Sequence, residues 1–173
     1  MWLRWGMLIG ILGLLVCMSA LLFAQMQGPP EPIQAASGPV VPDFTLPDTT
    51  GKAVRFSGFT AGRPSVILFG TTACPYCNMQ IEELKQLQRR AGDRVAILEI
   101  NVGEAPQKVA EHIARVRSPF TTLVDRTGEL YSRYGTGAVP VTLVADGQRR
   151  ILQQGSVIPA SRLAELLGLA PKG

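Results

Sequence analysis

The stretch PSVILFGTTACPYCNMQ, residues 64 to 80, constrains the fold of this chain more than any other. Pro64 to Gly70 is an apolar run without charge that ends at glycine, the pattern of a strand buried on both faces of a parallel sheet. Cys74 and Cys77 follow at once, and Pro75 between them suits the first turn of a helix, where its missing N–H leaves no bond unmade. Beyond it Met79, Ile81, Leu84, Leu87 and Gln88 recur at helical spacing, with Glu82, Glu83, Lys85, Arg89 and Arg90 turned the other way. Gly92-Asp93 ends that helix. A buried strand that runs through Cys-x-x-Cys straight into a helix belongs to an α/β fold.

The rest of the chain repeats the alternation. RVAILEINV (94–102) reads as a second buried strand, and 105–117 as a helix with Val109, Ile113 and Val116 inward. FTTLVD is a short strand and TGELYSRYG a short helix. VPVTLVA and RRILQQG are strands joined at Asp146-Gly147, a hairpin signal, and Pro159 to Leu167 is a closing helix. Upstream, VPDFTLPDTTGKAVRFSGF reads as two short strands about a turn at Asp48–Lys52. The expected architecture is an α/β sandwich with a mixed central sheet and an N-terminal β-hairpin. Met79 and Phe120 read as core, and His112, lone in mid-helix, as surface.

Trp5 to Ala24 is a twenty-residue run without charge, long enough to span a bilayer core of roughly 30 Å as a helix. Arg4 and the amino terminus precede it, so the positive-inside rule keeps the N-terminus in the cytoplasm and sends the remainder across. Small residues are poorly placed for cleavage, which favours a retained signal-anchor over residues 1–24. A cleaved signal peptide and a lipid-bearing Cys17 are the alternatives. Residues 25–39, rich in Pro, Gly, Gln and Ser, read as a flexible linker. Residues 40–173 are then one folded domain, large enough for its own core. The net charge of +4 is spread thinly and aromatic residues make up 6%, which argues against a nucleic-acid partner.

What can an isolated Cys-Pro-Tyr-Cys do? A structural zinc site needs about four ligands, and Cys17 and His112 cannot complete one within the folded domain. No metal is expected. A purely structural disulfide is a weak reading, because so short a loop removes little unfolded-state entropy. Redox chemistry fits position as well as composition. At a helix N-terminus, free N–H groups and the macrodipole stabilise a thiolate on Cys74. Cys77 lies one turn on, within reach. Cys74 would attack a partner disulfide, and Cys77 would then displace the partner from Cys74. Pro75 and Tyr76, both uncharged, fill the gap and face the substrate.

Strand, Cys-x-x-Cys, helix, strand, helix, strand, then a proline opening a strand hairpin resembles thioredoxin. VPDFTLPDTTGKAVRFSGFTAGRPSVILFGTTACPYC resembles more particularly the membrane-anchored TlpA/ResA/DsbE-type thiol–disulfide proteins, as do INVGEAPQKVAEHI and GAVPVTLVADGQRRI. The resemblance spans roughly residues 40 to 168. It implies a thioredoxin-like three-layer α/β/α sandwich behind one transmembrane helix, without a cofactor. It implies a cis Pro140 beside the cysteine pair, with Val139 offering backbone groups to a substrate chain as an added strand; an ordinary trans proline is the bland alternative. It implies a protein-disulfide reductase of the bacterial inner membrane with its catalytic domain in the periplasm. Such a protein takes electrons from a membrane thiol donor and delivers them to cysteine-containing proteins, apocytochrome c among them, in cytochrome c maturation.

The chain departs from the pattern in two places. Ala73 replaces a common tryptophan, and Leu68 stands where thioredoxin has a buried aspartate. The one acid within an apolar strand is Glu99. Buried near Cys77 it would be a proton shuttle; at a strand edge it would simply face water. A disulfide oxidase or isomerase of the same fold is the main alternative function. Thr71, three residues before Cys74, also allows a peroxidase, though Ile67 stands where peroxiredoxins have proline. A peptide-binding module without turnover is the remaining reading.

Overall fold

The computed structural model describes residues 39–135 and 137–169. The expected anchor and nearly all of the expected linker, Cys17 included, lie outside them. Among the described residues no helix is long and apolar enough to cross a membrane.

The N-terminal hairpin pairs β1 (Thr45–Pro47) antiparallel with β2 (Ala53–Arg55). Its turn is held by the Asp48 carboxylate, which accepts hydrogen bonds from the Thr50 and Lys52 N–H groups and the Thr50 hydroxyl. Gly51 takes φ 89°, a region that favours glycine. The residues after β2 read as strand in the sequence but form a short helix, α1 (Phe56–Thr60). The cause is tertiary. Asp43 accepts from the Ser57 N–H and hydroxyl, and Phe56 stacks on Phe44 with ring centroids 4.8 Å apart.

A five-stranded mixed sheet forms the centre. It contains β3 (Ser65–Gly70), β4 (Ala96–Val102), β5 (Thr121–Asp125), β6 (Val141–Ala145) and β7 (Ile151–Gly155), in the order β5-β4-β3-β6-β7. β3 pairs parallel with β4, and β4 with β5; β6 runs antiparallel to β3 and to β7. The β6–β7 connection turns at Asp146 as expected. Its left-handed residue is Arg149 (φ 66°), held because the Asp146 carboxylate accepts from the Gln148 and Arg150 N–H groups and the Arg150 guanidinium.

Three helices cover one face: α2 (Pro75–Ala91), α3 (Pro106–Val116) and α4 (Ala160–Leu166). That face buries Val66, Leu68, Ile97 and Val144 against Ile81, Leu84, Leu87 and Leu163. Val116 of α3 packs against the same cluster. The other face buries Ile67, Phe69, Leu98, Ile100 and Leu143 under Val41, Phe56 and Leu130, with the β-hairpin and Tyr131 laid over them. That second outer layer is the hairpin, the five-residue α1 and a 3-10 turn at Tyr131–Arg133, so it is thinner than a full helical layer.

Two burial assignments are corrected. Met79 is 54% exposed, because the buried face of α2 runs Cys77, Gln80, Ile81, Leu84, Leu87 and Ala91, and Met79 lies off that face. Gln80 takes the inward position instead. Its amide donates to the Ile158 carbonyl and its oxygen accepts the Ile158 N–H, tying α2 to the segment that enters α4. His112 is buried, not on the surface, because α3 presents Val109 and His112 to the sheet. Phe120 is buried as expected.

Candidate active site

β3 ends at Gly70, and α2 begins at Pro75 after four intervening residues. Cys74 is the N-cap in extended geometry (φ −90°, ψ 110°), and Pro75 opens the helix. The Cys77 N–H donates to the Cys74 sulfur at 3.1 Å. One of the orphan donors of the helix N-terminus is therefore spent on sulfur, where the dipole also favours negative charge. Cys74 and Cys77 are joined as a disulfide. Neither is widely open to water, but Cys74 is the more exposed, at 8% against 3%.

The Val139–Pro140 bond is cis. The Val139 carbonyl lies 3.6 Å from the Cys74 sulfur. Tyr76 (60% exposed) and Met79 stand out from the first turns of α2, leaving an apolar rim beside the disulfide. The chain folds so that Cys74, Cys77, Pro75, Val139 and Pro140 meet at one end of the sheet, with Tyr76 on the rim.

The loop before Cys74 is clamped by a residue that sequence reading passed over. Glu104, between β4 and α3, accepts from the Thr72 N–H and hydroxyl, each at 2.7 Å. It also accepts from the Asn101 amide at 2.7 Å and pairs with Lys108 at 2.6 Å. Burial alone would raise its pKa. The bonds from Lys108, Asn101 and Thr72 together outweigh that and hold it at about 2. Its place just past the C-terminal end of a parallel strand, where α/β sites gather, was the available signal.

Behind the disulfide lies a small cavity of about 30 Å³. Cys77, Thr71, Glu99, Asn101, His112 and Thr122 are among its lining residues. Glu99 is buried, which answers the strand-edge alternative. The Ser118 hydroxyl donates to it at 2.5 Å and the Thr122 hydroxyl at 3.2 Å. Desolvation nevertheless raises its pKa, against those two bonds and the charge of Lys85. His112 is pushed the other way, its pKa lowered by burial and by Arg115. Gly70 is needed here for space, since a Cβ at that position would lie 3.0 Å from the Cys77 sulfur. Among the described residues no group of three or more His, Cys, Asp or Glu side chains could hold a metal ion.

Several known proteins are similar to this chain in sequence or in fold. The thiol-disulfide oxidoreductase ResA of Geobacillus thermodenitrificans is 29% identical over 124 residues, 70% of this chain and 70% of that protein. A thiol-disulfide oxidoreductase from Bacteroides fragilis superposes with a TM-score of 0.65 at 20% identity, over 75% of this chain and 98% of that one. The peroxidoxin BcpB from Mycobacterium tuberculosis superposes with a TM-score of 0.62 at 23% identity, over 76% and 94%. These solved structures establish a thioredoxin-like fold. The AhpC/TSA family matches residues 38–154, from ahead of the hairpin into the last strand, and the chain belongs to that family.

Proposed function

We propose that this protein is a thiol–disulfide oxidoreductase that exchanges a Cys74–Cys77 dithiol with cysteines of other proteins. The observation that carries the proposal is the Cys77 N–H on the Cys74 sulfur at a helix N-terminus, with the second sulfur within bonding distance of the first. Cys74, the more exposed sulfur, attacks. Cys77, sealed beneath it, resolves the mixed disulfide. The Val139 carbonyl beside Cys74 offers an edge to an extended substrate segment. Glu99 takes the Cys77 proton, its raised pKa making it a stronger base than an exposed carboxylate.

The finer reading is a reductant. It would work outside the cytoplasmic membrane on an N-terminal anchor, drawing electrons from a membrane thiol donor and serving substrates such as apocytochrome c. The apolar run 5–24 and the likeness to ResA support it. Its test is the reduction potential of the pair. A value near −270 mV fits a reductant, and one near −120 mV an oxidase. Dithiol-driven insulin reduction tests the broader proposal, and no acceleration over buffer would leave a binding module. A peroxidase would consume hydrogen peroxide faster than it reduces insulin.

A further inference from the structure

The cavity behind Cys77 holds more polar groups than one proton acceptor requires. The Nδ1 atom of His112 and the Oδ1 atom of Asn101 are both buried without a hydrogen-bond partner. Each residue is more than nine-tenths buried, as is Glu99. All three line the same cavity as Cys77. Its 30 Å³ is room for one or two waters and for nothing larger. Register explains why these groups converge. Glu99 and Asn101 alternate along β4 toward the helical face, paired with Leu68 and Gly70 of β3, while α3 lays His112 over them.

We infer that this cavity is a hydrated proton passage, and that His112 is the positioning residue that connects Glu99 to bulk solvent. The inference rests on the disulfide-exchange reading above. In the resolving step the Cys77 thiol gives its proton across a water to the Glu99 carboxylate. The Cys77 sulfur forms its bond to Cys74, the bond between Cys74 and the substrate breaks, and the substrate sulfur leaves with the electron pair. That thiolate takes a proton from solvent, and two electrons have passed from the cysteine pair to the substrate disulfide. For that step Glu99 must first have shed any proton of its own, and Ser118 and Thr122, which occupy its two oxygens, cannot relay one at neutral pH. His112 can carry it. Its Nδ1 has no hydrogen-bond partner, and 9% of the residue still reaches the surface. The charges about it are Arg115 and Lys108 on its own helix, Glu104 ahead of it, Glu99 on β4, and Lys85 of α2 beyond Glu99. Burial and Arg115, against the charge of Glu104, favour the neutral imidazole, the form that accepts a proton.

Release of chromophore from dithiobis-nitrobenzoate by the reduced protein separates the steps, because Cys74 frees the first thiolate and Cys77 the second. In His112→Asn the second release should slow roughly tenfold or more between pH 6 and 7, with the first unchanged. Added imidazole should restore it. His112→Gln, closer in volume, carries the same test. A second release with the wild-type rate and pH profile overturns the inference. So does a slowing that is equal at every pH and indifferent to imidazole, which marks a packing role. A wild-type protein that shows no second release at all would instead overturn the exchange reading itself.

Discussion

Leu68 and Glu99 are direct partners in the parallel register of β3 and β4, and Thr122 of β5 is the next residue along the same row. The row points at the helices, so the acid missing from β3 is present one strand away. Burial raises the Glu99 pKa in the fold, so the folded state holds this proton more tightly than the unfolded chain. Below the unfolded carboxylate pKa the two states are equally protonated and Glu99 costs nothing. As pH rises through that value and then through the raised folded one, the buried charge becomes a penalty. Glu99→Gln should therefore stabilise the protein at neutral pH by on the order of 1 kcal/mol, with the gain vanishing in acid. The same variant should slow the Cys77 step while leaving attack by Cys74 alone. Chemical denaturation at pH 4 and pH 8, alongside stopped-flow thiol release, measures both. A variant no more stable at pH 8 would show that the carboxylate is better solvated than its burial indicates.

Gly70 lies against Cys77. An alanine there would bring its Cβ to 3.0 Å from the sulfur and 3.3 Å from the Cys77 Cβ. The Gly70 backbone is not left-handed, so the conflict is one of space alone. Gly70→Ala should fold with a loss of about 1–3 kcal/mol, the usual range for overpacking. It should also displace the resolving sulfur, so that mixed disulfides on Cys74 persist. Mass spectrometry of the protein after brief exposure to an excess of small disulfide should find the adduct in the variant and the internal disulfide in the wild type.

Much of this arrangement was readable in the sequence, for reasons particular residues make plain. Pro64–Gly70 and Val95–Val102 are mostly apolar, and such runs survive in a sheet only where both faces are covered. The N-cap position of Cys74 followed from Pro75. What was hidden depended on long-range contacts. α1 forms because Asp43, fourteen residues before Ser57 in sequence, accepts its N–H and hydroxyl. Met79 looked like core, yet the helix is rotated so that Gln80 instead meets the Ile158 backbone. His112 was unremarkable in one dimension, since the cavity it faces is built from three strands and two helices.

Glu104 should set the acid limit of the active-site loop. Its folded pKa is about 2 against 4.5 for the free side chain, so its contribution is whole above pH 4.5 and is lost as pH falls toward 2. Glu104→Ala removes the acceptor of Thr72, Asn101 and Lys108 together. The expected loss at pH 7 is about 1–3 kcal/mol. The stability gap between wild type and variant should narrow steadily below pH 4.5. Urea titrations at pH 7, 4 and 3 check it, and a gap that holds constant with pH would remove the carboxylate charge from the explanation. Hydrogen exchange at the Thr72 amide should quicken in the variant.

Met79 and Tyr76 give the last prediction, because they separate recognition from chemistry. Both are exposed apolar side chains on the first turns of α2, and neither holds the cysteines in place. Single exposed apolar residues are ordinary, but two beside a redox-active sulfur make a surface that a protein substrate must cover and a small disulfide need not touch. Met79→Lys should change stability by no more than about 0.5 kcal/mol. Its reaction with dithiobis-nitrobenzoate should keep the wild-type rate. Reduction of a protein disulfide such as insulin should fall roughly tenfold, equivalent to about 1.4 kcal/mol of lost contact. If both reactions fell together, Met79 would be acting on the cysteines themselves. If neither changed, the substrate must approach from the Val139 side of the disulfide, and substitutions there should carry the discrimination.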